Sequence, residues 1–208
     1  MIAIIDYKAG NLASVARAIN YLGFKCFITG NVKKILNAER LIFPGVGSAR
    51  QAMIDLQKLG LDKAILEYYK SERPFLGICL GTQVILEESE EGKTKCLGII
   101  PGSVRHFPLP LYGKNGNLLK VPHMGWNQVE FKSSHPLLHG VEKGGEFYFV
   151  HSYFPAPKNN DVIIGTTDYG ITFASVLAYK NLIAVQFHPE KSGKSGLTIL
   201  KNFCLWKP

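Results

Sequence analysis

The chain has 208 residues, 46% hydrophobic and 19% charged, a balance that supports a globular fold with a sizeable core and excludes fibrous and disordered classes. Net charge is +8, but the 24 Lys and Arg are scattered with no dense basic run. No nucleic-acid partner is therefore expected, and an acidic protein partner or a phosphorylated metabolite fits the charge as well.

The opening run "MIAII" has no basic region before it and stops at Asp6, and no run of 18 apolar residues occurs. It is read as a first strand, with no signal peptide and no membrane span expected. The four cysteines, at 26, 79, 96 and 204, include no C-x-x-C pair, and reduced thiols in a cytoplasmic protein are the simplest reading.

In the first half, short apolar runs alternate with helical patterns. "IAIID" (2–6) predicts a strand. "NLASVARAINYLG" places Leu12, Val15, Ala16, Ile19 and Leu22 at helical spacing, with Gly23 as a stop. "KCFIT" predicts a second strand, "VKKILNA" a short helix, and "RLIFPG" a third strand. Helical patterns follow over 48–58 and 61–71. "PFLGI" (74–78) predicts a buried strand, and "GTQVILEES" a helix after it. Such alternation implies a parallel sheet with helices on both faces.

The second half is mostly strand-like: "VRHF", "NQVEF", "FYFVHSYF", "VIIGTTDYG", "ITFASVLAY" and "LIAVQFHPE". Some of these are expected as antiparallel additions to the same sheet. A closing amphipathic helix is expected from about Gly196 to Leu205. No linker, repeat or low-complexity segment divides the chain, so one domain over 1–208 is expected.

The stretch "GICLG" (77–81) has the spacing of a nucleophile elbow, with Cys79 in place of serine. A nucleophile on a tight strand-to-helix turn takes a strained backbone, and Gly77 and Gly81 remove side chains that would collide there. The N-terminus of the following helix favours thiolate, the reactive form. The pattern alone is equally compatible with a small buried hydrophobe in a turn.

A base is available in "VQFHPEKS". His188 follows a predicted strand at its carboxyl end, where ligands of parallel sheets bind, and so does Cys79. Glu190, two residues on, can accept from one imidazole nitrogen and fix the tautomer. In isolation the pair also reads as a strand-end histidine with a solvated carboxylate. "FPGVGSA" (43–49) ends another strand and can present backbone N–H groups to an oxyanion, with Gly47 and Leu80 as the nominated donors. It also reads as a plain turn. "SGKSG" (192–196) lacks the first glycine of a phosphate loop, because position 188 is His. No histidine or cysteine spacing supports a metal site.

"PGVG", "GICLGTQ" and "QFHPEKS", in this order, resemble the class I (triad) glutamine amidotransferases. "DYKAGNL", "VPHMGWN" (121–127) and "FYFVHSY" (147–153) narrow the resemblance to the glutaminase subunits of imidazole glycerol phosphate synthase, over residues 2 to about 203. The resemblance implies a flavodoxin-like α/β fold with a mostly parallel sheet. It implies that Cys79 attacks the side-chain amide of glutamine, His188 moves the protons, and Glu190 orients His188. Gln83 and the backbone of His151, Ser152 and Tyr153 match substrate-contacting positions.

Trp126, Tyr148 and Lys191 match positions facing a (β/α)8 barrel partner in a heterodimer that receives the ammonia for histidine biosynthesis. The resemblance implies no cofactor, and it makes the peptide around Val46-Gly47 the switch through which the partner acts. From sequence alone Trp126 reads equally well as core. Lys8 stands where many relatives have Gly, and Thr82 where Met is common. The segment 108–120 is longer than usual and has no assigned role. A paralogous glutaminase that supplies ammonia for surface polysaccharide sugars is the alternative.

Overall fold

The computed structural model describes residues 1–8 and 10–208; Ala9, within "DYKAGNL", lies outside the described residues. The first half runs β1 (Ile2–Ile5), α1 (Leu12–Tyr21), β2 (Cys26–Thr29), α2 (Val32–Leu36), β3 (Arg40–Gly45), α3 (Ala49–Lys58), α4 (Leu61–Lys70), β4 (Phe75–Cys79) and α5 (Leu80–Val84).

The second half begins with β5 (Glu88–Ser89), β6 (Thr94–Lys95), β7 (Gly102–His106), β8 (Leu111–Tyr112) and β9 (Leu118–Leu119). It continues with β10 (His123–Gln128), β11 (Glu130–Phe131), β12 (Glu146–His151) and β13 (Tyr153–Pro157), then β14 (Ile163–Tyr169), β15 (Ile171–Tyr179), β16 (Leu182–Val185) and α6 (Gly193–Leu205).

The main sheet has the order β11-β14-β15-β16-β4-β3-β1-β2. The pairings from β16 to β2 are all parallel, and β15, β14 and β11 extend the sheet antiparallel. The antiparallel additions expected from the sequence are these three strands.

Alternation along the strands builds two apolar layers. From β1, Ala3 and Ile5 join a cluster with α3 and α4, through Met53, Leu56, Ile65 and Tyr68. Ile2 and Ile4 join the opposite cluster, with Val15 and Ile19 of α1 and Leu200 and Phe203 of α6. Each fully buried aliphatic or aromatic side chain contributes about 1.5–3 kcal/mol. This two-sided burial holds the carboxyl ends of β3, β4 and β16 side by side, and the site forms there.

Smaller units flank the sheet. β10 and β12 form an antiparallel ribbon, while β13, β7, β5 and β6 make a four-stranded sheet. The 108–120 segment folds as a short hairpin of β8 and β9.

Four boundaries differ from the expected ones. The run "NQVEF" breaks at Val129, so that β10 pairs with β12 and β11 pairs with β14. The helix after Cys79 ends at Val84 instead of running through "GTQVILEES". Its carbonyls are taken by another segment: Leu97 N–H donates to Val84 O, Ile99 N–H to Ile85 O and Gly98 N–H to Leu86 O, at 2.7–2.9 Å. The run "FYFVHSYF" breaks at Ser152, so β12 pairs with β10 and β13 pairs with β7. The closing helix starts three residues early, at Gly193.

Candidate active site

Cys79 is the last residue of β4 and the N-cap of α5, with φ 52 and ψ −105. A non-glycine residue at positive φ costs roughly 1–3 kcal/mol, and the surroundings must enforce it. They do so through close packing. A Cβ on Gly81 would stand 1.8 Å from the Phe43 carbonyl oxygen, so only glycine lets the first turn of α5 lie against β3. All five residues of α5 are buried. The Thr82 hydroxyl donates to Val185 O at 2.6 Å, which ties the elbow to β16. Thr82 thus anchors the Cys79 turn to the strand that leads to His188.

His188 follows β16 and opens a short 3-10 turn over Pro189–Lys191. Its N–H donates to Tyr148 O at 2.9 Å. Ser192 Oγ donates to His188 O at 2.6 Å and accepts from Tyr148 N–H at 3.0 Å, so the turn is laced to β12. The ring Nδ1 lies 2.8 Å from Glu190 Oε1, with the two side chains 1% and 0% exposed. Nε2 is buried and, among the described residues, has no partner in regular hydrogen-bond geometry. Burial acts to lower the His188 pKa, but the nearby Cys79 sulfur and the Glu190 carboxylate outweigh it and hold the ring up at about 10. An imidazolium beside the sulfur is the arrangement this favours.

Above Cys79 opens a cleft of about 330 Å³, lined by Val46 and Gly47, Cys79 and Leu80, Gln83, and the His151–Tyr153 segment. Gly47 has φ +99, a left-handed backbone that glycine tolerates. Gln83 Nε2 donates to Tyr153 O at 2.9 Å and to Gln186 Oε1 at 3.1 Å. Gln186 Nε2 in turn donates to Cys79 Sγ at 3.7 Å. The nominated Gly47, Leu80, Gln83, His151, Ser152 and Tyr153 therefore all meet at Cys79. His188 and Glu190 are closed off from solvent.

Trp126, Tyr148 and Lys191 form a separate outer cluster. Trp126 pairs with Tyr148 across β10 and β12, with ring centroids 6.2 Å apart and edge-to-face. Lys191 Nζ lies 5.7 Å over the Tyr148 ring. Trp126 is 55% exposed, which settles its choice between core and surface.

Three site residues escaped the sequence reading. Asn11 Nδ2 donates to Glu190 Oε1. Gln186 holds the sulfur, as described above. Glu91 lines the cleft, and its Oε2 accepts from Ala49 N–H at 2.6 Å. Asn11 and Gln186 stand inside "DYKAGNL" and "QFHPEKS", so their neighbourhood was visible but their bonds were not. Glu91 carries no local signal.

A family model described as "Glutamine amidotransferase class-I" matches residues 3–206. The chain belongs to this family. The amidotransferase is 48% identical to the protein named imidazole glycerol phosphate synthase subunit HisH of Dehalococcoides mccartyi (strain CBDB1), over 98% of this chain and 96% of that one. It is 49% identical to the protein of the same name from Thiobacillus denitrificans, over 100% of this chain and 92% of the other.

Among solved structures, the amidotransferase is similar to PurLQS from Thermotoga maritima, with a TM-score of 0.71 and 14% identity over 98% of this chain and 97% of that one. It is also similar to the glutaminase domain of Trypanosoma brucei CTPS, with a TM-score of 0.68 and 16% identity over 100% and 94%. At these identities the structural likeness speaks for the fold.

Proposed function

We propose that this amidotransferase is the glutaminase subunit of an imidazole glycerol phosphate synthase. It hydrolyses glutamine to glutamate and ammonia and passes the ammonia to a (β/α)8 barrel subunit in histidine biosynthesis. The observation that carries the assignment is the 48–49% identity to HisH subunits over 98–100% of the chain. Nothing observed favours the surface-polysaccharide paralogue. Residues 1–208 act as one domain in this reading, and the setting is cytoplasmic.

The arrangement of the cleft supports the following reaction. The Cys79 thiolate attacks the amide carbon of glutamine, and the oxyanion that forms takes hydrogen bonds from the backbone N–H groups of Leu80 and Gly47. One such donor is typically worth about 2.7–4 kcal/mol. His188 Nε2 gives its proton to the leaving nitrogen, and ammonia departs from the thioester. Water then enters, loses a proton to His188 and attacks the thioester carbon. Cys79 leaves as thiolate and glutamate is released.

Glu190 keeps the His188 Nδ1 proton and thereby aims Nε2 at the sulfur. Gln83 and the 151–153 backbone hold the substrate. Glu91 supplies a counter-charge for the glutamine α-ammonium. The reaction as written calls on no metal or cofactor. The Val46-Gly47 peptide is the element through which a partner raises the rate, because its N–H must face the oxyanion.

The exposed Trp126, Tyr148 and Lys191 cluster supplies an aromatic and cationic surface for the barrel subunit. The test mixes the purified chain with the synthase subunit and its nucleotide substrate and follows glutamate release. Strong stimulation over the chain alone is expected. Cys79→Ala should abolish glutamine-dependent product while added ammonium salt still supports the synthase step. A barrel subunit that neither binds nor stimulates overturns the assignment.

A further inference from the structure

Two buried histidines, His123 and His151, connect the strand of Trp126 to the glutamine cleft, and the reaction described above uses neither ring. Their protonation pattern can be derived. His151 Nδ1 lies 2.8 Å from the carbonyl oxygen of Tyr153. A carbonyl only accepts, so His151 Nδ1 carries the hydrogen. Burial lowers the His151 pKa to about 3, helped by the nearby His123 and His188, and burial lowers His123 to about 4.

Both rings are therefore neutral near pH 7, and His151 Nε2 is a bare acceptor. It lies 3.0 Å from His123 Nδ1, which must donate. His123 Nε2 is then bare in turn, and Asn127 Nδ2 stands 3.2 Å away as its donor. Asn127 cannot turn its amide over: Nδ2 also donates to Asp168 O at 2.9 Å, and Oδ1 accepts from Gln128 N–H at 2.8 Å.

Packing closes the alternatives. His123 is stacked between Phe149 and Tyr169, with centroids at 4.8 and 4.0 Å and interplanar angles of 24° and 25°. The Tyr169 hydroxyl is itself fixed by Lys120 O at 2.8 Å. His151 packs against Phe107 and Phe173 at 5.3 and 5.1 Å. A ring flip at either position would set carbon against a nitrogen partner.

The far end of the run is the Tyr153 carbonyl, which also accepts from Gln83 Nε2. The near end is β10, where Trp126 is exposed three residues beyond His123.

We infer that His123 and His151 are positioning residues: a single-tautomer relay from Asn127 through both rings to the Tyr153 carbonyl, which sets the glutamine-binding backbone and Gln83 according to the placement of the Trp126 strand. The inference rests on reading the cleft as the glutamine site. The relay gives a docked partner a second route to the substrate pocket, distinct from the Val46-Gly47 peptide.

The test has two arms. Long-range 1H–15N NMR of the imidazoles in the full chain at pH 7 should show both rings neutral and protonated at Nδ1. An Nε2–H tautomer or an imidazolium at either position overturns the relay. In the complex with the synthase subunit, His123→Phe keeps the aromatic stack but removes the donor. It should raise the glutamine KM and cut partner stimulation by roughly tenfold each, at a melting temperature within a few degrees of wild type.

His123→Asn, whose amide nitrogen replaces Nδ1 but which has no counterpart of Nε2, restores the donor to His151 without the Asn127 link and should fall between His123→Phe and wild type. Wild-type KM and stimulation in His123→Phe, or equal impairment of both variants, overturns the proposal. If His123→Phe does not fold, the wild-type NMR decides. A wild-type complex without glutaminase activity overturns the assigned function and leaves the tautomer result standing.

Discussion

Asn11, at the head of α1, donates a hydrogen bond to the Glu190 oxygen that also faces His188 Nδ1, although the two residues are 179 positions apart in the chain. Asn11 takes φ 73, a left-handed conformation that asparagine accepts more readily than most residues. The Glu190 carboxylate beside His188 is thus itself held from the segment that leaves the first strand. Hydrogen bonds to charged groups are worth about 1.5–3 kcal/mol. Asn11→Ala should lower kcat by about ten- to a hundredfold with a smaller change in KM. Steady-state glutaminase kinetics in the presence of the partner would check this, and an unchanged kcat would remove Asn11 from the site.

The raised pKa of His188 depends on Cys79 as well as Glu190. In Cys79→Ala only the carboxylate opposes burial, so the His188 pKa should fall well below about 10. An NMR titration of His188 in the two proteins measures this directly. The linkage has a definite sign. A histidine raised from 6.5 stabilises the fold below its unfolded pKa, and that contribution is lost as pH rises through the folded value. Wild type should therefore lose this contribution between pH 6.5 and about 10, and Cys79→Ala should show a shallower slope there.

His123 and His151 act in the opposite direction, because their folded pKa values are lowered to about 4 and about 3. Between those values and 6.5 the unfolded chain binds more protons than the folded one. Stability should fall as pH drops from 6.5 toward 4, and these two rings should add no slope above 6.5. Urea midpoints across that range test it, and His123→Asn should flatten the acid limb.

Gly81→Ala should be among the most damaging single-methyl additions in the chain. Its Cβ would meet backbone, the Phe43 carbonyl, and backbone cannot rotate away as a side chain can. Overpacking of this kind costs about 1–3 kcal/mol or more. Denaturant unfolding should show the loss, with glutaminase activity falling alongside it as the elbow shifts.

Trp126→Ala should weaken association with the synthase subunit by about tenfold or more, since large exposed aromatics are the usual anchors of an interface. Calorimetric titration of the two purified subunits would measure it. Unaltered affinity would move the docking face elsewhere on the molecule.

Much of the architecture was readable because the strands of a two-sided parallel sheet are short continuous apolar runs, and β1, β3 and β4 fit that pattern. The end of α5 was not, because Ile85 and Leu86 continue an apolar helical pattern. What stops the helix is a segment more than ten residues later that captures its carbonyls. The break at Ser152 was hidden for a similar reason: "FYFVHSYF" has one composition, but its halves pair with different strands.

For the site, Cys79, His188 and Glu190 stand in motifs whose residue types carry the expectation of nucleophile, base and orienting carboxylate. Asn11, Gln186 and Glu91 are ordinary polar residues, and only their three-dimensional partners mark them. Lys8 departs from a common Gly, and the structure gives it φ 72, the backbone conformation for which Gly is suited.

The Tyr148 ring belongs to the outer aromatic cluster, while its carbonyl oxygen holds the His188 N–H. The outside of the molecule and His188 are thus separated by the thickness of a single strand. A neighbour pressing on that ring needs no moving loop or travelling helix to make itself felt, because His188 shares one peptide's stiffness with the surface.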